Sequence, residues 1–372
     1  MKKNRVLIYF PTNARAVDQQ SVMELLCNMH YEVYLLTWQE PGDLHKNVEK
    51  FGVKVFSTGL KKNNGIKGYI DNIRFLTKFI KKHKIDFVFA HLQALGMISG
   101  IARWFVSFKL YYFRHNTNAH ILDGNFNSKL INNLTNLVVP KIVAVSKSVE
   151  EYLIKSEKIN RDKIVQINYA FNFQQYLLSD YTGVSKNIRA EFKAEILLIC
   201  IGRFVPLKRH ILMFETIKQL IKKKVDVKLI CLGDGELRNE FERYIVANSL
   251  TEFIYLLGNK KNVLDYLEAA DALLHFSETE SLGMVVLESG LVKRPVVVCD
   301  SVGVFNDFMV DGVNGYLISK ENPANDAVRI ISDVNPKKFE KMGELLYVTV
   351  HREFDISNVK ADYEKLLNID LN

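Results

Sequence analysis

The chain has 372 residues, 48% of them hydrophobic and 25% charged, with a formal net charge of +8. That length allows two ordinary domains with separate cores, and the composition excludes a disordered chain. No run of 18 apolar residues occurs, and Met1-Lys-Lys-Asn-Arg5 leads directly into a five-residue apolar strand. Neither a membrane span nor a signal peptide is therefore predicted, and the expected location is the cytoplasm.

Short apolar runs rich in β-branched and aromatic residues alternate with helical patterns along the chain, which predicts an α/β architecture with mainly parallel sheets. In the first half the expected strands are Val6–Phe10, Val33–Trp38, Val53–Phe56, Ile85–Ala90, Leu110–Phe113, Ile142–Val145 and Ile164–Ile167. This half is basic. Residues 1–180 hold 25 Lys and Arg against 14 Asp and Glu, a net of +11, which leaves 25 against 28, or −3, for the rest. The densest basic stretch runs from Lys61 to Lys84, where Arg74, Lys78, Lys81 and Lys82 alternate with Ile70, Ile73, Leu76, Phe79 and Ile80 at helical spacing. Such a helix fits an anionic membrane surface, and equally a core helix with a solvated basic back. Trp104, Phe105, Phe108, Tyr111 and Tyr112 invite the same two readings.

His91 and the triplet Arg114-His115-Asn116 each follow an apolar run, at strand ends where ligands gather in open α/β sheets. From Phe171 to Lys193 the chain turns polar and irregular, which marks a linker. Beyond it the expected strands are Ile196–Ile201, Val227–Leu232, Phe253–Leu257, Ala272–Phe276, Pro295–Val298 and Tyr316–Ile318. Two doubly wound units follow. Cys27, Cys200, Cys231 and Cys299 form no C-x-x-C pair and lie in apolar segments, so they read as core thiols, and no metal site is expected.

Two segments of the second half have the form of an anion site. Ile201-Gly-Arg-Phe-Val-Pro-Leu-Lys-Arg-His210 joins a strand to a helix: Gly202 allows a sharp turn, and Arg203 and Lys208 supply cations for a diphosphate. In Glu278-Thr-Glu-Ser-Leu-Gly-Met-Val-Val-Leu-Glu288 the amides of Leu282, Gly283 and Met284 open a helix, with Glu280 before it and Glu288 within it. Carboxylates beside a phosphate would repel it, so Glu280 and Glu288 should accept from hydroxyl groups. The plainer readings are a solvated loop acid for Glu280 and a Glu288–Arg294 pair. Leu232-Gly-Asp-Gly-Glu236 and Leu257-Gly-Asn-Lys260 are tight turns at the same edge, and Gly258, Asn259 and Lys260 could border a base.

A Glu, seven residues and a second Glu, preceded by G-R-x-x-P-x-K and G-D-G, resembles the retaining glycosyltransferases of family 4, which have the GT-B fold. Ile142-Val-Ala-Val-Ser146, Ile167-Asn168 and Asp300-Ser-Val-Gly303 through Asp311-Gly-Val-Asn-Gly315 extend the likeness over most of the chain. The resemblance implies two Rossmann-like domains facing each other across a cleft. Residues 1–175 would form the acceptor side, 190–354 the nucleotide-sugar domain, and 355–372 a helix packed back on the first. It further implies that Arg203 and Lys208 bind the diphosphate, Glu288 the ribose and Glu280 the transferred sugar, while His115 reaches toward that sugar. Transfer would retain anomeric configuration without a metal or other cofactor. The nucleotide sugar, expected to be UDP-linked in preference to GDP-linked, would be a co-substrate, and the expected acceptor is a saccharide or lipid-linked saccharide of a surface glycan such as lipopolysaccharide or capsule, with peripheral contact expected at the inner face of the membrane.

The chain departs from the family pattern in three places. Pro11-Thr-Asn-Ala-Arg15 replaces a Gly-Gly loop on the acceptor side, Asn168-Tyr169 replaces "NG", and Glu280-Ser281 replaces "EG". An oxidoreductase is disfavoured because no G-x-G-x-x-G follows Val6–Phe10, and no nucleic-acid motif accompanies the basic residues. An epimerase or phosphorylase of the same fold and an inactive nucleotide-sugar or membrane-binding homologue remain as alternatives.

Overall fold

A computed structural model describes residues 3–14, 16–60, 65–115, 126–174, 177, 183–280, 282–300, 305–333 and 335–368. The chain divides into two compact units, one formed by Met1–Asn172 with Phe354–Asn372 and the other by Phe173–Glu353.

The first unit is built on seven parallel strands, β1 (Arg5–Phe10), β2 (Glu32–Thr37), β3 (Lys54–Ser57), β4 (Phe87–His91), β5 (Lys109–Arg114), β6 (Lys141–Ala144) and β7 (Ile164–Gln166), in the order β3-β2-β1-β4-β5-β6-β7. Helices on both faces of a parallel sheet require strands that are apolar throughout, and Val6–Tyr9, Val88–Ala90 and Leu110–Phe113 are accordingly buried residue after residue. The expected strand start at Ile85 moves to Phe87. Lys84 closes the preceding helix in the left-handed conformation at φ 50°, and the Ile85 amide donates to Ile80 O at 3.2 Å, so Ile85 belongs to the helix cap.

That helix, Ile66–His83, buries Leu76, Phe79 and Ile80 and exposes Arg74, Lys78, Lys81 and Lys82, as a core helix with a basic back does. It packs on Gln93–Ala102, which packs in turn on Phe126–Val138. Phe108, Tyr111 and Tyr112 fill the core, whereas Trp104 and Phe105 are exposed, as are Leu130, Leu134 and Leu137. The last helix, Ile356–Asn368, belongs to this unit. Its Tyr363 packs against Phe89 and Phe113, and the Tyr111 hydroxyl donates to Leu366 O at 2.7 Å.

The second unit has six parallel strands, β8 (Ile196–Ile201), β9 (Val227–Leu232), β10 (Ile254–Gly258), β11 (Ala272–His275), β12 (Val296–Cys299) and β13 (Tyr316–Ile318), in the order β10-β9-β8-β11-β12-β13. The expected linker contracts. Phe171 and Phe173 are core residues, Ser185–Glu191 is a helix, and Asp265 Oδ1 accepts from the amides of Gly183 and Val184 at 2.7 and 3.2 Å. In each sheet the winding reverses once, between β1 and β4 and between β8 and β11, and the carboxyl ends there are the switch points at which ligands of such folds bind.

Candidate functional site

At the switch point of the second unit the loops after β8, β9 and β10 are tied by backbone bonds. Gly202 N donates to Leu232 O at 3.0 Å, Phe204 N to Asp234 O at 3.0 Å and Gly233 N to Gly258 O at 2.9 Å. Contact is so close that a Cβ on Gly233, which has φ 134°, would lie 2.0 Å from Gly202 O. This fixes the G-D-G turn against the G-R-F turn and leaves Arg203 exposed; its carbonyl accepts from Val205 N at 2.9 Å, and its guanidinium makes no hydrogen bond or ion pair among the described residues. Asn259 and Lys260 are also exposed, with the Lys260 ammonium 5.8 Å from the centre of the Tyr266 ring.

A short 3-10 turn, Pro206–Lys208, carries Lys208 back over Gly202, whose Cα faces the lysine stem. The Lys208 ammonium is ion-paired with Glu280 Oε1, to which His275 Nε2 also bonds at 2.9 Å. Glu280 is therefore neither solvated nor unpaired, which overturns the loop-acid reading. Burial pushes its carboxyl up, but the hydrogen bond and attraction of His275, then those of Lys208, prevail and hold it at about 2. Ser281 lies outside the described residues.

Gly283 caps the helix Met284–Leu291 with φ 72°, and a Cβ there would meet the Phe305 ring at 2.4 Å. Only glycine satisfies both conditions. The turn sets the first-turn amides beyond the carboxyl end of β11, where amides without intrahelical acceptors and the helix dipole favour an anion. Leu282 is buried and Met284 half-buried at this start, and Glu288 stands half-buried just past the first turn. Nε and Nη2 of Arg294 donate to Glu268 O at 3.0 and 2.6 Å.

Two residues escaped sequence reasoning. Arg209, left-handed at φ 52°, donates to Phe276 O at 2.8 Å, Lys320 O at 3.0 Å and Cys299 Sγ at 3.0 Å, which binds together the ends of β11, β12 and β13. His275 is the second, a buried strand residue whose only outward sign was its place before a loop acid. The site thus brings together Gly202, Lys208, Glu280 and Gly283 on neighbouring loops, an arrangement suited to a phosphate at the helix start and a polyhydroxyl group beside the acid. Among the described residues no three His, Cys, Asp or Glu side chains are grouped as a metal site. Residues 301–304, part of the D-S-V-G segment, lie outside the described residues.

In the first unit His91 ends β4 and His115 follows β5. His91 Nδ1 lies 2.8 Å from His115 Nε2, and His115 Nδ1 lies 3.0 Å from the Tyr169 hydroxyl. Arg114 is not available for chemistry. Its guanidinium is buried, bonded to Asn132 and to Glu157 Oε1 at 2.5 Å, and Glu157 Oε2 accepts from Asn136 at 2.6 Å. Asn116 and Arg15 lie outside the described residues.

Comparison with known proteins follows the same division. Residues 184–344 match the family described as glycosyl transferases group 1, and residues 21–173 match glycosyltransferase family 4. An uncharacterised glycosyltransferase of Methanocaldococcus jannaschii is 26% identical over 289 residues, 77% of this chain and 76% of that protein. A UDP-Gal:alpha-D-GlcNAc-diphosphoundecaprenol alpha-1,3-galactosyltransferase of Escherichia coli is 22% identical over 321 residues, 83% of this chain and 82% of its own. Among solved structures, HepE of Anabaena in complex with UDP superposes with a TM-score of 0.81 at 17% identity, covering 98% of this chain and 100% of that one. The fold is that of GT-B glycosyltransferases.

Proposed function

Because the chain belongs to the family 4 glycosyltransferases, we propose that it moves a hexose-type sugar from a UDP-sugar to a saccharide or lipid-linked saccharide acceptor, with retention of anomeric configuration. The observation that carries this reading is the meeting of the Gly202 loop, Lys208, Glu280 and the Gly283-capped helix at one switch point. The diphosphate would lie against Arg203, Lys208 and the amides of Leu282, Gly283 and Met284. Glu288 would take the ribose hydroxyls and Glu280 those of the sugar, with Gly258, Asn259 and Lys260 bordering the base. UDP bound to HepE and the UDP-sugar and lipid-linked acceptor in the name of the Escherichia coli relative support the substrate classes.

As the sugar–phosphate bond breaks, negative charge grows on the leaving diphosphate. Arg203, Lys208 and the helix start would stabilise it, so no divalent cation is required. Lys208 is paired with Glu280, and an incoming phosphate would take over the lysine and turn Glu280 toward the sugar hydroxyls. We place the protein in the cytoplasm at the inner face of the membrane. Trp104 and Phe105, exposed in the turn after the helix Gln93–Ala102, and Leu130, Leu134 and Leu137, exposed on the helix Phe126–Val138 that packs against it, support that location. No helix among the described residues is long and apolar enough to cross a membrane.

The test is a thermal-shift panel of UDP, GDP, their common sugar conjugates and NAD, run with EDTA on the wild type and Arg203→Ala. UDP and its sugars should stabilise the wild type, and the variant should bind them roughly 10- to 100-fold more weakly, the worth of one charge-assisted contact. Stabilisation by NAD alone would overturn the reading. Retention is tested by proton NMR of the anomer first released when the donor is hydrolysed.

A further inference from the structure

His275 closes β11, where it pairs in register with Val298 of β12, and its side chain is buried. The Phe305 ring meets it edge-on at 5.9 Å, and the same ring is the one that a Cβ on Gly283 would strike. One buried aromatic therefore packs against both the histidine and the start of the helix Met284–Leu291. Glu280 is reached from two sides, by Lys208 from the Pro206–Lys208 turn and by His275 from the strand, and both bond to Oε1. Oε2 has no partner among the described residues, and the side chain is 15% exposed. All of these groups belong to the second unit.

The pairing with an ammonium group makes Glu280 a carboxylate, which can only accept, so His275 carries a hydrogen on Nε2. The two donors differ in what holds them. Lys208 ends a long stem on a loop, and its ammonium is the cation that an incoming diphosphate would take. His275 is a strand residue packed on Phe305, and it stays where it is. A mostly buried carboxylate that lost its lysine and had no other donor would carry an uncompensated desolvation cost. The His275 N–H offsets that cost. It keeps Oε1 bonded, so the turn of Glu280 toward the sugar becomes a pivot about this bond, and Oε2 is the oxygen left open to a hydroxyl group.

We propose that His275 is the positioning residue for Glu280, its Nε2–H remaining on Oε1 when Lys208 passes to the diphosphate, so that Oε2 accepts from a hydroxyl of the transferred sugar. This rests on the glycosyltransferase reading and on Glu280 as the acid that meets the sugar. His275→Leu removes the donor and leaves an apolar side chain beside Phe305. Lys208 is then the sole donor to the carboxylate, which gives it up less readily, so both UDP binding and sugar transfer suffer. His275→Gln can place an N–H near the same oxygen.

The test is a double-mutant cycle of His275→Leu with Glu280→Ala, with His275→Gln beside it. It is read by calorimetry with UDP and by acceptor-free hydrolysis of UDP-glucose, UDP-galactose and UDP-N-acetylglucosamine. In His275→Leu, kcat/KM for hydrolysis should fall at least about tenfold, the worth of one charge-assisted hydrogen bond, with weaker UDP binding. His275→Gln should recover most of both. When Glu280→Ala is already present, adding His275→Leu should change neither by more than about twofold, whereas lost packing would lower both in either background. A full drop in that background, or wild-type hydrolysis by His275→Leu, overturns the proposal. The long-range nitrogen–proton correlation spectrum of wild-type protein labelled with nitrogen-15 at histidine needs no stable variant of the site: His275 should show a hydrogen on Nε2, and a bare Nε2 overturns the proposal. If Glu280→Ala hydrolyses the UDP-sugars at the wild-type rate, the sugar role of Glu280 fails and the proposal with it. A wild type that neither binds UDP nor splits any of the three sugars overturns the glycosyltransferase reading itself. If Glu280→Ala is impaired and His275→Leu is not, only the positioning role fails.

Discussion

Glu280 shows how one carboxylate can be legible in a sequence while its surroundings are not. Its place between an apolar strand and a glycine-led helix marked it as a candidate, but the Lys208 and His275 contacts join residues 72 and 5 positions away, and only the fold brings them together. The same limit explains Arg209, which sits beside Lys208 in an ordinary-looking basic loop yet turns inward to three strand ends. The carboxyl pKa held at about 2 gives a pH prediction. Because it is depressed in the folded chain, the stability that Glu280 contributes is complete above its ordinary value of 4.5 and lost as pH falls through about 2. Glu280→Gln should remove that part of the acid sensitivity in an acid-unfolding series. In the same variant Lys208 is released, so UDP should bind at least as tightly as to the wild type while UDP-sugar hydrolysis falls. Weaker UDP binding, measured by calorimetry, would place Glu280 on the nucleotide instead.

Elements were far more legible than contacts. All thirteen strands among the described residues lie where apolar β-branched and aromatic runs put them, because a strand covered on both faces cannot hide its composition. What composition could not give was strand order, and it is the order that places Gly202 beside Glu280. Helix boundaries depended on local stereochemistry, as at Lys84, where a left-handed cap draws Ile85 away from β4. The helix Met284–Leu291 depends in the same way on Gly283. Gly283→Ala should cost about 1–3 kcal/mol from backbone strain at positive φ, with more from the clash with Phe305. The variant should melt lower in a thermal scan and bind UDP more weakly, since the amides at the helix start would shift. Unchanged melting and affinity would show that the helix start can adapt.

For the molecule as a whole, charge is the property a sequence gives most directly. The unit that exposes Trp104 and Phe105, Met1–Asn172 with Phe354–Asn372, holds 27 Lys and Arg against 17 Asp and Glu, a net of +10. Cosedimentation should show binding to vesicles rich in phosphatidylglycerol, weakening as salt screens the attraction. Trp104→Ser with Phe105→Ser should reduce binding at every salt concentration, whereas charge reversal at Lys78 and Lys81 should remove mainly the salt-sensitive part. If neither change lowers binding, this face is an ordinary solvated surface. The placement of residues 355–372 with the first unit was the part of the organisation least written in local sequence, for it depends on Tyr363 and Leu366 meeting strands some 250 residues earlier.

That return of the chain makes the first unit discontinuous, and its closing helix is translated after the entire second unit. At roughly 5–20 residues per second, the 181 residues from Phe173 to Glu353 occupy the ribosome for on the order of 10–40 s. Throughout that interval Phe89, Tyr111 and Phe113 lack the cover that Tyr363 and Leu366 later give them. The nascent first unit thus waits with an aromatic surface open to chaperones, while the second can complete its own sheet before the first is closed.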